Sequence, residues 1–311
     1  MRKIGIMKIT LTVLITVITI QLSYCQINMS DSSAQILGYW SIGDKQSYDV
    51  SYEKYKIKDQ DTTSRIMIKY EIDVTVKDST ASSYTIEWFY KNYDIDTDNE
   101  LIKKVSKAAE DISVIIKTDE FGAVQEVTNW EEVRDYIAKA MKPLRKELKK
   151  VPGSDKIIEQ SMAIYNSKAA IEANAIKDAI QFYTFHGGAY TLNEEVSGQM
   201  QFANNFGGKP FDVDVTLSLD ELNEEDNNSV IRMYQVVDSE QLTKATYEYL
   251  AKIGTFGEQM PEISTLPELT NEVWTASRIH GGTGWTTYSI ETKEVKSEDT
   301  INIEERIIQI K

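Results

Sequence analysis

Residues 65–76 alternate between apolar and polar side chains, and this alternation constrains the fold more than any other feature of the sequence. The apolar positions are Ile66, Ile68, Tyr70, Ile72, Val74 and Val76, and Lys69, Glu71, Asp73 and Thr75 stand between them. Successive side chains of a β-strand point to opposite faces, so a period of two predicts a long strand with one buried and one solvated face. Such a strand needs paired neighbours and a layer that covers its apolar face.

Two flanking segments repeat the alternation and predict neighbouring strands. The apolar positions of these segments are Tyr48, Val50 and Tyr52 on one side and Tyr84, Ile86, Trp88 and Tyr90 on the other. Asp59-Gln60-Asp61 and Lys77-Asp78-Ser79 have the composition of turns. We therefore expect three long strands in an antiparallel meander, with an aromatic inner face.

Residues 130–185 carry helical periodicity and predict a helical hairpin. The apolar positions of its first helix are Val133, Ile137, Ala140, Met141, Leu144 and Leu148. Asn129 is the candidate N-cap of this helix, and Pro152-Gly153-Ser154 interrupts the pattern. A second, longer helix is predicted from Ile157 to Phe185, where a His-Gly-Gly sequence ends it.

Strands are predicted on both sides of this helical insertion. A short helix near 98–110 and a β-hairpin at 112–127 precede it; strands at 189–196, 211–219, 230–237, 273–279, 285–295 and 301–310 and a helix at 239–253 follow it. This order predicts an α+β fold, a curved antiparallel sheet of long strands covered by helices. We expect a single domain over residues 37–311, with the helical hairpin inserted at about 130–185, and a flexible polar leader at 26–36.

The first 25 residues have the three parts of a secretory signal. A basic start precedes an apolar run from Ile9 to Ile20, which is shorter than the about 20 residues of a membrane-spanning helix, and Ser23 and Cys25 precede Gln26 at the small-residue positions. We expect cleavage between Cys25 and Gln26, export to the periplasm or the extracellular space, and no transmembrane span in the mature chain. Two alternatives stay open: an uncleaved N-terminal anchor helix, and a lipid on Cys25 that would hold the protein at a surface.

Charge and cysteine content exclude several classes of function. The chain has 34 Lys and Arg against 49 Asp and Glu, a formal charge of −15, so nucleic acids are not expected partners. Cys25 is the one cysteine of the sequence. A mature chain cut after Cys25 would have no disulfide, thiolate metal site or cysteine nucleophile, and no motif calls for a cofactor.

Both histidines stand in the same tripeptide, His186-Gly187-Gly188 and His280-Gly281-Gly282. One interpretation is a functional pair, either two imidazole ligands of a metal or an oxyanion turn of an esterase. The chain has no Gly-x-Ser-x-Gly nucleophile elbow and no spaced His or Cys companions for zinc. The favoured interpretation is structural, with one tripeptide ending a helix and the other turning after a strand.

Asp94, Asp96 and Asp98 alternate like the first ligands of a calcium loop. The loop pattern needs Gly at its sixth position and Glu at its twelfth, where this chain has Asn99 and Val105. The three carboxylates are therefore a candidate for weak metal binding, and the alternative is a solvated turn that leads into a helix.

The aromatic residues of the first three strands are the candidate ligand-binding residues. Tyr70, Tyr84, Trp88 and Tyr90 fall on the inward face. Either helices pack directly on this face and make it core, or a curved sheet leaves an apolar pocket there. The sequence favours the packed version.

The N-terminal third resembles a family of uncharacterised secreted proteins of about this length from Bacteroidetes-type bacteria. The resemblance is carried by Gly38-Tyr39-Trp40, Gly43-Asp44-Lys45, Tyr48, Asp61-Thr62-Thr63-Ser64 and Ser83-Tyr84-Thr85-Ile86-Glu87-Trp88. That family has no assigned catalytic residues, so the resemblance implies export and no particular chemistry. The predicted architecture also resembles the lipoprotein-carrier folds of the periplasm.

Two functions of different class remain. The first is a non-enzymatic envelope protein that binds a lipid, another apolar ligand or an envelope protein through its sheet. The second is a hydrolase that uses carboxylates or the His-Gly-Gly turns.

Overall fold

The computed structural model describes residues 27–204, 206–252 and 261–311. Its strands are β1 Ile27–Asn28, β2 Ser33–Gln35, β3 Lys45–Lys58, β4 Asp61–Thr80, β5 Ser83–Asp96, β6 Ser113–Asp119, β7 Val124–Val127, β8 Ala189–Thr191, β9 Glu195–Phe202, β10 Phe211–Asn223, β11 Asn228–Val237, β12 Leu269–His280, β13 Thr286–Ser297 and β14 Thr300–Ile310. Its α-helices are α1 Glu100–Ser106, α2 Trp130–Glu147, α3 Ser154–Ala163, α4 Lys168–Ala170, α5 Lys177–Tyr183 and α6 Ser239–Lys252. A π-helical turn, Ile171–Ala175, lies between α4 and α5, and short 3-10 turns occupy Lys107–Ala109, Leu148–Lys150 and Ile263–Thr265.

Most strands belong to one antiparallel sheet of 11 strands in the order β7-β6-β5-β4-β3-β14-β13-β12-β11-β10-β9. Two meanders make up this sheet. The first runs from β3 to β7 and the second from β9 to β14, and they join where Tyr48 of β3 pairs with Ile310 of β14. The predicted three-strand meander is confirmed, because β4 pairs antiparallel with both β3 and β5.

Helices cover the inner face of the first meander. Trp88 of β5 is fully buried, and its ring meets the rings of Phe182 and Tyr183 of α5 edge-on. Val133 and Ile137 of α2 and Ile158 of α3 belong to the same core. Burying this apolar surface is the main force that holds the helical layer on the sheet.

The predicted second helix of the hairpin is not continuous. After α3 the backbone of Ser167 is extended, and its hydroxyl accepts a hydrogen bond from the amide of Ala170, which starts α4. A further break at Ile176, where φ is −105° and ψ is 33°, separates the π-helical turn from α5. A serine that caps a new helix competes with continuation of the old one, so residues 154–183 form short segments.

The predicted flexible leader also differs from the structure. Within residues 27–36, β1 pairs with β2, and β2 pairs with β8. Ile27, Ala34 and Ile36 are buried in a second apolar cluster with Phe185. These three apolar side chains, separated by polar ones, anchor the segment in the fold; the signal predicted for residues 1–25 lies outside the described residues.

The strand predicted at 189–196 is likewise divided. Asn193 has a positive φ of 62°, and the chain turns there from β8 into β9, an edge strand of the large sheet. In the part of the chain that the structure describes, no helix is long and apolar enough to cross a membrane.

Candidate functional site

The four aromatic residues predicted to bind a ligand lie in or against the core. Tyr70, Trp88 and Tyr90 are buried, and Tyr84 packs edge-on against the ring of Trp40. The hydroxyl of Tyr84 donates to the carbonyl of Gly38 at 2.8 Å. Helices fill the face around these four residues, so the favoured packed version describes this part of the sheet, and none of the four lines the pocket described below.

The candidate calcium ligands do not come together. Asp94 and Asp96 are exposed at the end of β5, and Asp98 follows in the loop before α1. Among the described residues, no group of three or more His, Cys, Asp or Glu side chains is placed to hold a metal ion. Asn99 instead caps α1, because its side-chain oxygen accepts from the amides of Leu101 and Ile102.

The two His-Gly-Gly turns hold the N-terminal segment. The Nε2 atom of His186 lies 2.8 Å from the carbonyl oxygen of Gly284, which can only accept, so Nε2 carries the proton. The amide of Gly187 donates to Ile36 at 2.8 Å, and the amide of Tyr39 donates to Thr283 at 3.1 Å. The histidines therefore serve the architecture of these turns, as the structural interpretation expected.

A pocket of about 860 Å³ lies on the inner face of the second meander. The sheet forms its floor, the segment from Ala173 to Thr184 forms one wall, and Leu242 of α6 closes another. Met200 and Ile180, which line it, are 39% and 45% exposed, so the pocket communicates with solvent.

One end of the pocket is apolar. This end consists of side chains from β9 to β12, the loop after β9, and α6: Met200, Phe202, Ala203, Phe206, Phe211, Met233, Leu242, Leu269 and Val273. The pairing of β9 with β10 builds part of it, since Phe202 of β9 pairs with Phe211 of β10 and both line the pocket. Such a surface excludes water and suits hydrocarbon.

The other end of the pocket is charged. On the inner face of the sheet, Glu291 of β13 stands opposite Arg306 of β14, and Lys293 stands opposite Glu304. An Nη atom of Arg306 lies 3.3 Å from Glu291, and Lys54 lies 2.6 Å from Glu304. Directly opposed charges of unlike sign stabilise cross-strand pairs.

A buried ion pair joins this charged end to the helical wall. Nε of Arg306 lies 2.7 Å from Oδ1 of Asp178 in α5, and the hydroxyl of Tyr70 donates to the same carboxylate at 2.9 Å. Burial opposes the charge of Arg306, but the acidic groups around it, Asp178 first among them, together outweigh burial and raise the pKa of the guanidinium. Gln181 of α5 adds a bond from its amide to the hydroxyl of Ser289 at 2.9 Å.

Two lysines of the charged end differ from Arg306 in their pairing. Lys177 and Lys293 line the pocket, and neither forms a salt bridge with a described residue. Burial lowers the pKa of Lys177, and it raises the pKa of Glu291. Both shifts are those of groups that have lost part of their hydration.

Sequence reasoning missed this pocket, although its signal is present. Glu291 and Lys293 fall on the same alternation phase of β13 as the buried Ser289 and the pocket residue Val295. Burying a charged side chain without water or a partner is costly. Charged residues at the inward-facing positions of one strand, next to strands whose inward-facing residues are apolar, therefore indicate a solvent-accessible cavity rather than a packed core.

Comparisons with known proteins give low similarity. No protein-family model matches the sequence, and a search of curated proteins finds no match. Among solved structures, one of lipovitellin, determined for its lipid–protein interactions, is similar over 87% of this chain with 8% identity and a TM-score of 0.39. This chain spans 25% of that lipovitellin chain. An outer membrane channel from Pseudomonas putida F1 aligns over 92% of this chain and 100% of its own, with 7% identity and a TM-score of 0.17.

Proposed function

We propose that this protein is a non-enzymatic binding protein that holds an apolar ligand, such as a lipid, in the pocket of the second meander. The observation that carries the proposal is a pocket of about 860 Å³ with an apolar end and a charged end. Pockets for small ligands occupy roughly 300–1,000 Å³ and combine apolar walls with a few polar groups.

Binding is favoured over hydrolysis by the positions of the chemically capable groups. Nε2 of His186 is bonded to a backbone carbonyl, and Nδ1 of His280 lies 3.0 Å from the hydroxyl of Thr283 within its own turn. Burial lowers the pKa of His186 to about 4, so this ring is neutral near pH 7. Neither histidine lines the pocket.

Export is part of the same proposal. The secretory signal of residues 1–25 and the resemblance to secreted Bacteroidetes-type proteins support a place in the periplasm or outside the cell. A protein there that shields an apolar ligand from water would act as a carrier, in line with the lipoprotein-carrier-like architecture predicted from the sequence.

Titration with the neutral fluorescent probe N-phenyl-1-naphthylamine tests the proposal. Ala173→Trp places a large ring in the pocket from the helical wall, where Ala173 is exposed toward it. Ala81→Trp makes the same change in the exposed turn between β4 and β5. We expect saturable binding by the wild type and Ala81→Trp, and binding at least about tenfold weaker by Ala173→Trp. Equal binding by all three proteins would contradict the proposal.

A further inference from the structure

We propose that the ligand of this pocket is an amphiphile with an anionic head group, held by Lys177 and Lys293. This inference rests on the proposed function and names the class of ligand. It follows from the order of side chains across the sheet and from the pairing of charges at one end of the pocket.

The inward side chains of two adjacent rows of the sheet are uncharged on β11 and β12 and charged on β13 and β14. One row of paired inward residues runs from Gln235 of β11 through Val273 of β12 and Lys293 of β13 to Glu304 of β14. The neighbouring row runs from Met233 through Thr275 and Glu291 to Arg306. A ligand that fills both ends must therefore be apolar at one end and polar at the other.

Pairing at the charged end leaves a surplus of positive charge. The acids that face this end are already bonded: Asp178 and Glu291 to Arg306, and Glu304 to Lys54. The cations that face it are Lys54, Lys177, Lys293 and Arg306. Lys177 and Lys293 are the two of these without a salt bridge to a described residue, so a ligand with a negative head group would complement them.

The surroundings of Lys177 add to this argument. An ammonium group that has lost part of its hydration at the wall of a pocket gains stability from a hydrogen-bonded anion. Arg306 has such an anion in Asp178 at 2.7 Å. Lys177 forms no salt bridge with a described residue, and Glu291 and Glu304 attract it only from a longer distance. A carboxylate or a phosphate has the acceptor oxygens that two ammonium groups need.

Displacement of N-phenyl-1-naphthylamine by matched C12 amphiphiles tests this inference. The competitors are dodecanoate, dodecyl phosphate, dodecan-1-ol and dodecyltrimethylammonium, which share a chain and differ in the head. We expect the wild type to bind at least one of the two anions about tenfold more tightly than the alcohol, and the cation no better than the alcohol. Whichever anion binds more tightly identifies the head group as carboxylate or phosphate.

The Lys177→Gln/Lys293→Gln double variant separates head-group recognition from the pocket itself. We expect it to bind the probe like the wild type but to lose the preference for the anion. Lys69→Gln/Lys103→Gln removes two exposed charges outside the pocket and should keep the preference. A wild type without the preference, or a preference that survives the Lys177/Lys293 change, would overturn the inference while probe binding still upheld the proposed function. Absence of probe binding would overturn both.

Discussion

At the residue scale, Trp88 shows how a candidate binding residue becomes a core residue. Its side chain is fully buried against Phe182 and Tyr183. We expect Trp88→Ala to reduce the free energy of unfolding by about 3–5 kcal/mol, because it leaves a cavity in a packed core. Probe binding by the folded variant should be unchanged. Trp274→Ala, at a half-buried ring stacked on Tyr234, is the control and should cost clearly less in chemical denaturation.

Gly284 is fixed by the close approach of another segment. Its φ is +72°, and a Cβ there would lie 2.0 Å from the carbonyl oxygen of Leu37. Gly43 has a φ of +92° with nothing within 4 Å of its Cβ position, so Gly43→Ala measures the backbone cost alone, about 1–2 kcal/mol. Gly284→Ala should lower the midpoint of thermal unfolding further, since the N-terminal segment must move. Equal losses in the two variants would refute a close approach at Leu37.

His186 should make stability depend on pH. Burial lowers its pKa to about 4 from 6.5, so between these values the unfolded chain binds more protons than the folded one. Its contribution is complete above about pH 6.5 and is lost as the pH falls to about 4, at a cost of up to about 3 kcal/mol. His186→Gln should flatten the dependence of the unfolding free energy on pH in this range. An unchanged slope in His186→Gln would contradict the assignment.

At the element scale, the strands could be predicted and the helical wall could not. Alternation is a local signal: the spacing of Ile68, Tyr70 and Ile72 predicts a strand without information from the rest of the chain. The second helix of the hairpin is different, because its helical periodicity continues through Ser167 and Ile176. The breaks at these residues depend on a serine cap and on contacts of α5 with the sheet, which tertiary packing decides.

The helix α5 is held to the sheet by its buried carboxylate. Asp178 contacts Arg306 of β14 and Tyr70 of β4, so it joins both meanders to the helical wall. We expect Asp178→Asn to lower the free energy of unfolding by about 3 kcal/mol, because it leaves a buried guanidinium with less negative charge nearby. Asp155→Asn breaks the exposed pair with Arg145 and should cost less than about 1 kcal/mol in the same denaturation experiment.

At the scale of the whole molecule, the order of the sheet depends on a contact between strands that are far apart in the sequence. The pairing of β14 with β3 brings Ile310 beside Tyr48 and makes one sheet of two meanders. Sequence patterns carry no information about pairing over this distance, so the sheet order and the position of the pocket could not be predicted. The charged residues Glu291 and Arg306 become neighbours of α5 only through this pairing.

The pocket follows from an uneven covering of the sheet. The helices α1, α2 and α3 pack on the first meander, α6 packs on the second, and α5 contacts both. The space between α5 and α6 over the second meander is the pocket. The sequence predicted an apolar cavity as one alternative for a curved sheet but assigned it to Tyr70, Tyr84, Trp88 and Tyr90, which are at the covered end.

Native mass spectrometry tests the binding of an apolar ligand most directly. The full protein, purified without detergent from the cells that produce it, is compared with Ala173→Trp and Ala81→Trp prepared in the same way. We predict that the wild type and Ala81→Trp carry an additional mass of a few hundred daltons, extractable into organic solvent, and that Ala173→Trp has lost it. Wild-type protein without bound mass after mixing with total lipid extract, or equal loading of Ala173→Trp, would contradict a ligand in this pocket.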